Sequence, residues 1–370
     1  MVTTLGEISR ESAKRFGDKT ALIIEDKSFS YKEIDAMACR VANGLKASGV
    51  RPGDRVTLYS ANCWEWAVSY HAIAKIGAVI NPINVMLTSD EVKYVVEDSG
   101  TTAVLGSADK AESLLDLKGN NELKEVVLFG DTVPTGATSF EEWLKSGTDT
   151  FEVAHRNRED LAAICYTSGT TGHPKGAMHS HHNILANAQG TAMMHVRTES
   201  DVMVNSLPLP HVYGSVVFNS GFMYGAKLVI VPRFEEEAVM SAIQQHRATI
   251  LDGVPTAYYF LLAHPKFDDY DLSTLTRSTV GGQTLPAAKS IEWEERVGTA
   301  VLELWGMTEL AGAATANPYY GDNKPGTIGL VYPGNEGKIV SAEDPTLDLK
   351  IGDEGEFMFR GPLVMLGYYG

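Results

Sequence analysis

Three cysteines in 370 residues, Cys39, Cys63 and Cys165, are odd in number and show no metal-ligand spacing. That excludes a disulfide framework or a cysteine zinc site and leaves reduced, mostly buried thiols. Positive charge is also short: 31 Lys and Arg against 47 Asp and Glu give a net charge of −16. This argues against a broad nucleic-acid or anionic-membrane surface, though not against a local cationic pocket. No long apolar run is present. The longest apolar region, 212–231, is interrupted by Asn219, Lys227, glycines and serines, and reads as a buried helix followed by a strand rather than a membrane span. Arg10, Glu11, Lys14 and Arg15 break up any signal-peptide core, so a cytoplasmic location is expected. Internal repeats and low-complexity tracts are missing too. What remains, 44% hydrophobic and 21% charged residues, describes an ordinary soluble chain with a sizeable core and room for two or three domains.

Strands alternating with helices run through most of the chain, the pattern of parallel sheets with helices on their faces. A helix is read over 1–16, a hairpin over 20–24 and 28–31, and helices over 32–48, 63–76, 89–97 and 140–145. Short strands are read at 56–59, 78–80, 103–105 and 126–129. Strands at 177–181, 202–207, 227–231, 249–253 and 277–281 follow, with helices over 183–194, 217–224, 235–245, 256–263 and 286–296 between them. From about Pro325 the pattern changes to short strands and turns at 327–330, 337–340 and 354–360. The expected organisation is a first α/β subdomain over 1–160, a second over 161–324 and a small β subdomain over 325–370.

Residues 166–176 read Tyr-Thr-Ser-Gly-Thr-Thr-Gly-His-Pro-Lys-Gly. Glycines let a backbone turn tightly and approach a ligand, while exposed N–H groups and hydroxyls can wrap phosphate oxygens. Lys175 adds a compact positive charge. The spacing is not that of the common nucleotide loop, because Lys175 is followed by Gly176 and no Gly-Lys-Ser/Thr occurs. On composition alone the stretch also reads as a plain solvated loop. Almost letter for letter, however, it resembles the phosphate-binding signature of adenylate-forming enzymes: acyl-CoA synthetases, luciferases and peptide-synthetase adenylation domains. The pattern is nearest to bacterial-type acyl-CoA synthetases and extends from residues 29–31 to 367–369. The resemblance implies two similar α/β subdomains with mostly parallel sheets, layered αβαβα, and a partly truncated β-barrel. It also implies that Thr167, Ser168, Gly169, Thr170, Thr171, Gly172 and Lys175 bind the ATP phosphates.

Three further stretches carry chemistry. Residues 208–214 place His211 and Tyr213 after a strand. Matched to the family, His211 stands between acyl pocket and phosphates; a positioning role is expected, since a carboxylate substrate needs no deprotonation at neutral pH. Gly281, Gly282 and Gln283 lie at a strand end, where ligands collect in open parallel sheets. The resemblance implies that their backbone follows the adenine and that Gln283 contacts the base edge. Residues 305–309, Trp-Gly-Met-Thr-Glu, match a second family motif. It implies that Trp305, Gly306 and Met307 face adenine, Thr308 bonds a phosphate and Glu309 holds Mg²⁺, which bridges phosphate oxygens. The segment from Gly355 to Tyr369 also resembles the family, with a structural role expected.

The activity implied is that of an ATP-dependent carboxylic acid:CoA ligase, with ATP, Mg²⁺, coenzyme A and a small-molecule carboxylic acid as partners. Neither nucleic acid nor a membrane span is expected, and a homodimer is left open. Short-chain members of the family carry tryptophan at the place of Gly306. A glycine there, with Ala311 and Gly312 also small, implies an open acyl pocket walled by His211, Val212, Tyr213, Val217, Phe218 and Gly282. A medium- or long-chain fatty acid, or an aromatic or alicyclic carboxylate, is expected. The alternative is loading of an acyl or amino acid onto a carrier protein. Family members continue through a ribose-binding aspartate, a hinge and a C-terminal domain with a catalytic lysine. The chain is therefore expected to be the N-terminal portion of a longer enzyme, inactive or weakly active alone.

Overall fold

A computed structural model of the chain describes residues 2–118, 122–130, 132–167 and 173–370. Its helices start where side chains can satisfy the free backbone N–H groups of a first turn. Ser30 caps Tyr31–Ala47 by accepting from the Glu33 amide while Glu33 reaches back to the cap. Thr88 with Glu91 caps Ser89–Asp98 in the same way. Ser180 with Asn183 caps His181–Met194, so His181 opens that helix instead of closing the preceding strand. Helix Val212–Tyr224 starts earlier than its apolar spacing suggests, because the His211 ring accepts from the Tyr213 amide and acts as the cap. It stops at Gly225, whose φ of 81° suits glycine.

The strands collect into two large sheets. One has eight strands, in the order Gly367–Tyr368, Lys175–Ser180, Leu161–Thr167, Val79–Pro82, Arg55–Tyr59, Thr101–Ser107, Glu125–Phe129, Thr138–Ser139. The other has nine: Leu330–Val331, Gly312–Ala316, Val301–Met307, Arg277–Val280, Ile250–Gly253, Val202–Asn205, Lys227–Ile230, Thr20–Ile24, Lys27–Ser30. Both are parallel through the middle; the eight-stranded sheet is antiparallel at one end and the nine-stranded sheet at both. The largest core cluster joins both, with Trp66, Tyr70, Phe218 and Phe222 from helices Trp64–Lys75 and Val212–Tyr224 at its centre.

Two features differ from the linear division at residue 160. The hairpin Thr20–Ile24/Lys27–Ser30 forms as read, but it extends the nine-stranded sheet, with Leu22 opposite Leu228 and Ile24 opposite Ile230. Conversely, Leu161–Thr167 and Lys175–Ser180 belong to the sheet built mainly from residues before 160. Apolar periodicity marks a strand but not the sheet edge it joins. The third region forms no closed barrel among the described residues. Leu330–Val331 and Gly367–Tyr368 are taken up by the large sheets, which leaves only the hairpin Glu336–Val340/Glu356–Arg360. Among the described residues, no helix is long and apolar enough to cross a membrane.

Candidate active site

Strands Leu161–Thr167 and Lys175–Ser180 run antiparallel, with Thr167 directly opposite Lys175. Ser168, Gly169, Thr170, Thr171 and Gly172 lie outside the described residues. Thr167 and Lys175, at the two ends of that stretch, face a cavity of about 470 Å³. From other elements, His211, Val212 and Tyr213 line it at the start of their helix, together with Gly282, Gly306, Met307, Thr308, Glu309 and Gly312. Residues from four separate stretches of sequence therefore meet at one place, where strands of both sheets end.

The turn Thr308–Leu310, which follows strand Val301–Met307, is held from several sides. The buried His179 ring donates from Nε2 to the Thr308 carbonyl at 2.7 Å. Burial pulls the His179 pKa down to about 4, so the ring is neutral at pH 7, with its proton on Nε2 to make that bond. Asn187 donates to the carbonyls of Leu310 and Ala313 at 2.9 and 2.8 Å, and the Met365 amide donates to the Glu309 carbonyl at 2.9 Å. Glu309 Oε1 accepts from the Tyr368 hydroxyl at 2.5 Å, and Lys175 Nζ lies 5.5 Å from the centre of the Tyr368 ring. Among the described residues, no group of three or more His, Cys, Asp or Glu side chains could hold a metal. Mg²⁺ is usually held by one or two carboxylates together with substrate phosphates, and Glu309, whose second oxygen has no hydrogen-bond partner among the described residues, fits that mode.

The opposite wall is fixed from within the core. The Tyr213 hydroxyl stands 3.0 Å from Thr279 Oγ1, which donates to Asp252 Oδ1 at 2.7 Å. Asp252 pairs with Arg197 at 2.5 Å, both side chains being 0% exposed, and Arg197 donates to Ser220 Oγ at 2.8 Å. His211 Nδ1 accepts from the Tyr213 amide at 3.2 Å, and burial lowers its pKa, leaving a neutral ring beside the cavity.

Some expected positions stand elsewhere. Val217 and Phe218 are buried in the core, where Phe218 packs edge-on to Trp66 and Tyr70 instead of walling the cavity. One helical turn beyond Tyr213, the Phe218 ring meets Trp66, Tyr70 and His71 of helix Trp64–Lys75. Trp305 meets Phe357 edge-on at 5.4 Å, because strand alternation turns Leu304 to the cavity and Trp305 to the other face. Gln283 is exposed and outside the cavity wall. Gly281 is buried behind it, where a Cβ would stand 2.3 Å from Leu304 Cδ1. Ala311 is buried at the turn, with a φ of 55°. Gly306 lines the cavity, but a Cβ on it would point into the paired strand, 1.9 Å from the Gly312 carbonyl oxygen. A side chain at that position is barred by the close approach of two paired backbones, while the backbone of the glycine itself borders the cavity. Leu304, Ala313, Tyr368 and His179 were not singled out from the sequence. Only Tyr368 carried a signal, as part of the 355–369 segment read as structural.

The profile of the AMP-binding enzyme family matches residues 9–369. A long-chain-fatty-acid–CoA ligase of Bacillus subtilis (strain 168) is 30% identical over 395 residues, covering 99% of this chain and 70% of that protein. A feruloyl-CoA synthase from an Amycolatopsis species is 30% identical over 368 residues, covering 99% and 72%. Among solved structures, the anthranilate CoA ligase AuaEII in complex with anthranoyl-AMP superposes with a TM-score of 0.93 at 29% identity, covering 99% of this chain and 71% of that one.

Proposed function

The chain belongs to the AMP-binding enzyme family, and on that premise we propose that it carries the adenylating site of an ATP-dependent carboxylic acid:CoA ligase. In the first half-reaction a carboxylate oxygen of the acid attacks the α-phosphorus of ATP. The new bond gives an acyl-adenylate, and the bond to the β-phosphate oxygen breaks to release pyrophosphate. In the second, the sulfur of coenzyme A attacks the acyl carbon and AMP leaves.

The observation that carries this reading is the convergence of Lys175 and Glu309 on one cavity from two motifs about 130 residues apart in sequence. Lys175, with Thr167 and the loop 168–172, is assigned to the phosphates that depart; Thr308 bonds a phosphate oxygen, and Glu309 takes an ATP-borne Mg²⁺. Bound there, Mg²⁺ would neutralise charge on the phosphates. The rest is positioning: no proton has to leave a carboxylate substrate at neutral pH, and a neutral His211 fits a role in orienting it. The adenine is assigned to the side of Gly282 and Met307. The acyl group is assigned to the apolar side formed by Val212, Tyr213, Leu304 and Ala313.

The acid is a fatty acid of medium or long chain, or an aromatic or alicyclic carboxylate. Relatives named for a long-chain fatty acid, a ferulate and an anthranilate support that range. An amino acid is disfavoured. Its ammonium would need an acid on the apolar side, where the lining residues Val212, Tyr213, Leu304 and Ala313 carry none, and Asp252 behind Tyr213 is paired with Arg197. Titrating non-hydrolysable acyl-adenylates of acetate, decanoate, benzoate and phenylalanine into the chain tests the proposal. Tightest binding by the decanoyl or benzoyl compound is expected; preference for the acetyl or the aminoacyl compound would refute the substrate class.

A further inference from the structure

Tyr368 is 43% exposed, so packing alone gives little reason for a tyrosine at that position. Its backbone is nonetheless well fixed. Strand Gly367–Tyr368 pairs with Met178 and Ala177, and hydrogen bonds of 2.8 Å run from the Leu366 amide to Met178 O and from the Tyr369 amide to Gly176 O. These contacts seat Tyr368 on the strand that begins with Lys175. The same short segment reaches the other motif, through the Met365 amide bonded to the Glu309 carbonyl. The side chain completes the bridge: the hydroxyl donates to Glu309 Oε1, and the ring face stands under Lys175 Nζ.

We propose that Tyr368 is a positioning residue that holds Glu309 and Lys175 in register at the phosphate end of the cavity. It acts through both, and the proposal rests on the ligase reading above. The physical logic is that of preorganisation. An unheld glutamate and an unheld lysine on one cavity wall would swing toward each other, or into solvent, and would have to be reoriented when a triphosphate arrives. A hydroxyl donated to one carboxylate oxygen fixes the rotamer and leaves the second oxygen for a cation carried by the phosphates. The ring offers Lys175 an attractive surface without neutralising it as a carboxylate would.

The test uses two variants and two ligands. Tyr368→Phe keeps the ring and the strand and removes only the hydroxyl; Tyr368→Leu removes the ring as well. ATP binding to the chain is titrated as a function of Mg²⁺, beside binding of a non-hydrolysable acyl-adenylate, which has no β- or γ-phosphate. The loss of one hydrogen bond to an ionised, partly exposed group corresponds to a change of roughly tenfold. Tyr368→Phe should therefore raise the Mg²⁺ concentration for half-maximal ATP binding by about tenfold, with acyl-adenylate affinity and melting temperature unchanged. In a Glu309→Gln background the same change should add little. Tyr368→Leu should additionally weaken ATP at saturating Mg²⁺, through Lys175. An unaltered Mg²⁺ dependence in Tyr368→Phe, or equal weakening of both ligands, would overturn the positioning role while leaving the ligase reading in place. A parent chain that binds neither ligand would overturn both.

Discussion

The carbonyl oxygen of Gly312 lies 1.9 Å from the point where a Cβ on Gly306 would stand. The two residues belong to the antiparallel pair Val301–Met307 and Gly312–Ala316, whose register slips between Trp305 and Gly306. The slip presses one backbone against the other, and any side chain at 306 must part them. Gly306→Ala should destabilise the fold by about 1–3 kcal/mol, the usual cost of forcing atoms into a close-packed site. Gly306→Trp should lower stability further and weaken acyl-adenylates of every acid, because the turn that carries Thr308 and Glu309 follows directly on the same strand. Thermal melting and acyl-adenylate titration check this. A tryptophan variant of parental stability that had gained preference for the acetyl compound would show instead that the residue governs pocket depth.

The Gly306 contact also marks the limit of what the sequence discloses. Elements and motifs were legible because they are local: capping residues, apolar spacing and the strings at 166–176 and 305–309 need no knowledge of the partner strand. Sheet membership was not, since Leu22 and Ile24 carry no mark that they will pair with Leu228 and Ile230. Nor was the direction a side chain takes. Leu304 and Trp305 are neighbours, yet only one faces the cavity, and a one-residue difference in register decides which. Tyr368 was legible as a motif letter but not as a partner of Glu309, which lies 59 positions away.

Behind Tyr213 the chain Thr279–Asp252–Arg197 offers a second test, of stability against specificity. Asp252 and Arg197 are both fully buried, so removing one partner strands the charge of the other. Asp252→Asn should cost about 3–5 kcal/mol, read from denaturant midpoints. Thr279→Val leaves the Arg197–Asp252 contact in place but removes both the link to the tyrosine hydroxyl and the donor to the Asp252 carboxylate, which should cost about 1.5–3 kcal/mol. It should also loosen the wall, so that acyl-adenylates of bulky acids are discriminated less sharply than by the parent. Equal costs for the two variants would mean that the ion pair contributes no more than the two hydrogen bonds of Thr279.

The last prediction concerns acid. His71 is buried, with its ring against Phe222 at 4.6 Å and Phe218 at 5.4 Å, and neither ring nitrogen has a hydrogen-bond partner among the described residues. Burial, with a smaller contribution from the Lys75 charge, depresses its pKa to about 3 from an ordinary 6.5. The sign follows from which state binds the proton. Below pH 6.5 the unfolded chain takes one up at this histidine, while the folded chain does so only near pH 3, so stability is lost progressively across that window as pH falls. At pH 5 the loss from this one residue is about 2 kcal/mol. His179 and His181, each depressed to about 4 by burial, and His195, held well below its ordinary value by burial, add to the loss in the same direction. His71→Phe removes the titrating group and two unpaired buried nitrogens while keeping a ring between Phe218 and Phe222. The variant should match or exceed the parent in stability at pH 7, and its loss on going from pH 7 to pH 5 should be smaller by about 2 kcal/mol. Urea unfolding of both proteins at the two pH values measures the difference. Parallel losses would mean that His71 is hydrated or paired in solution, and that the acid sensitivity arises from the other three histidines.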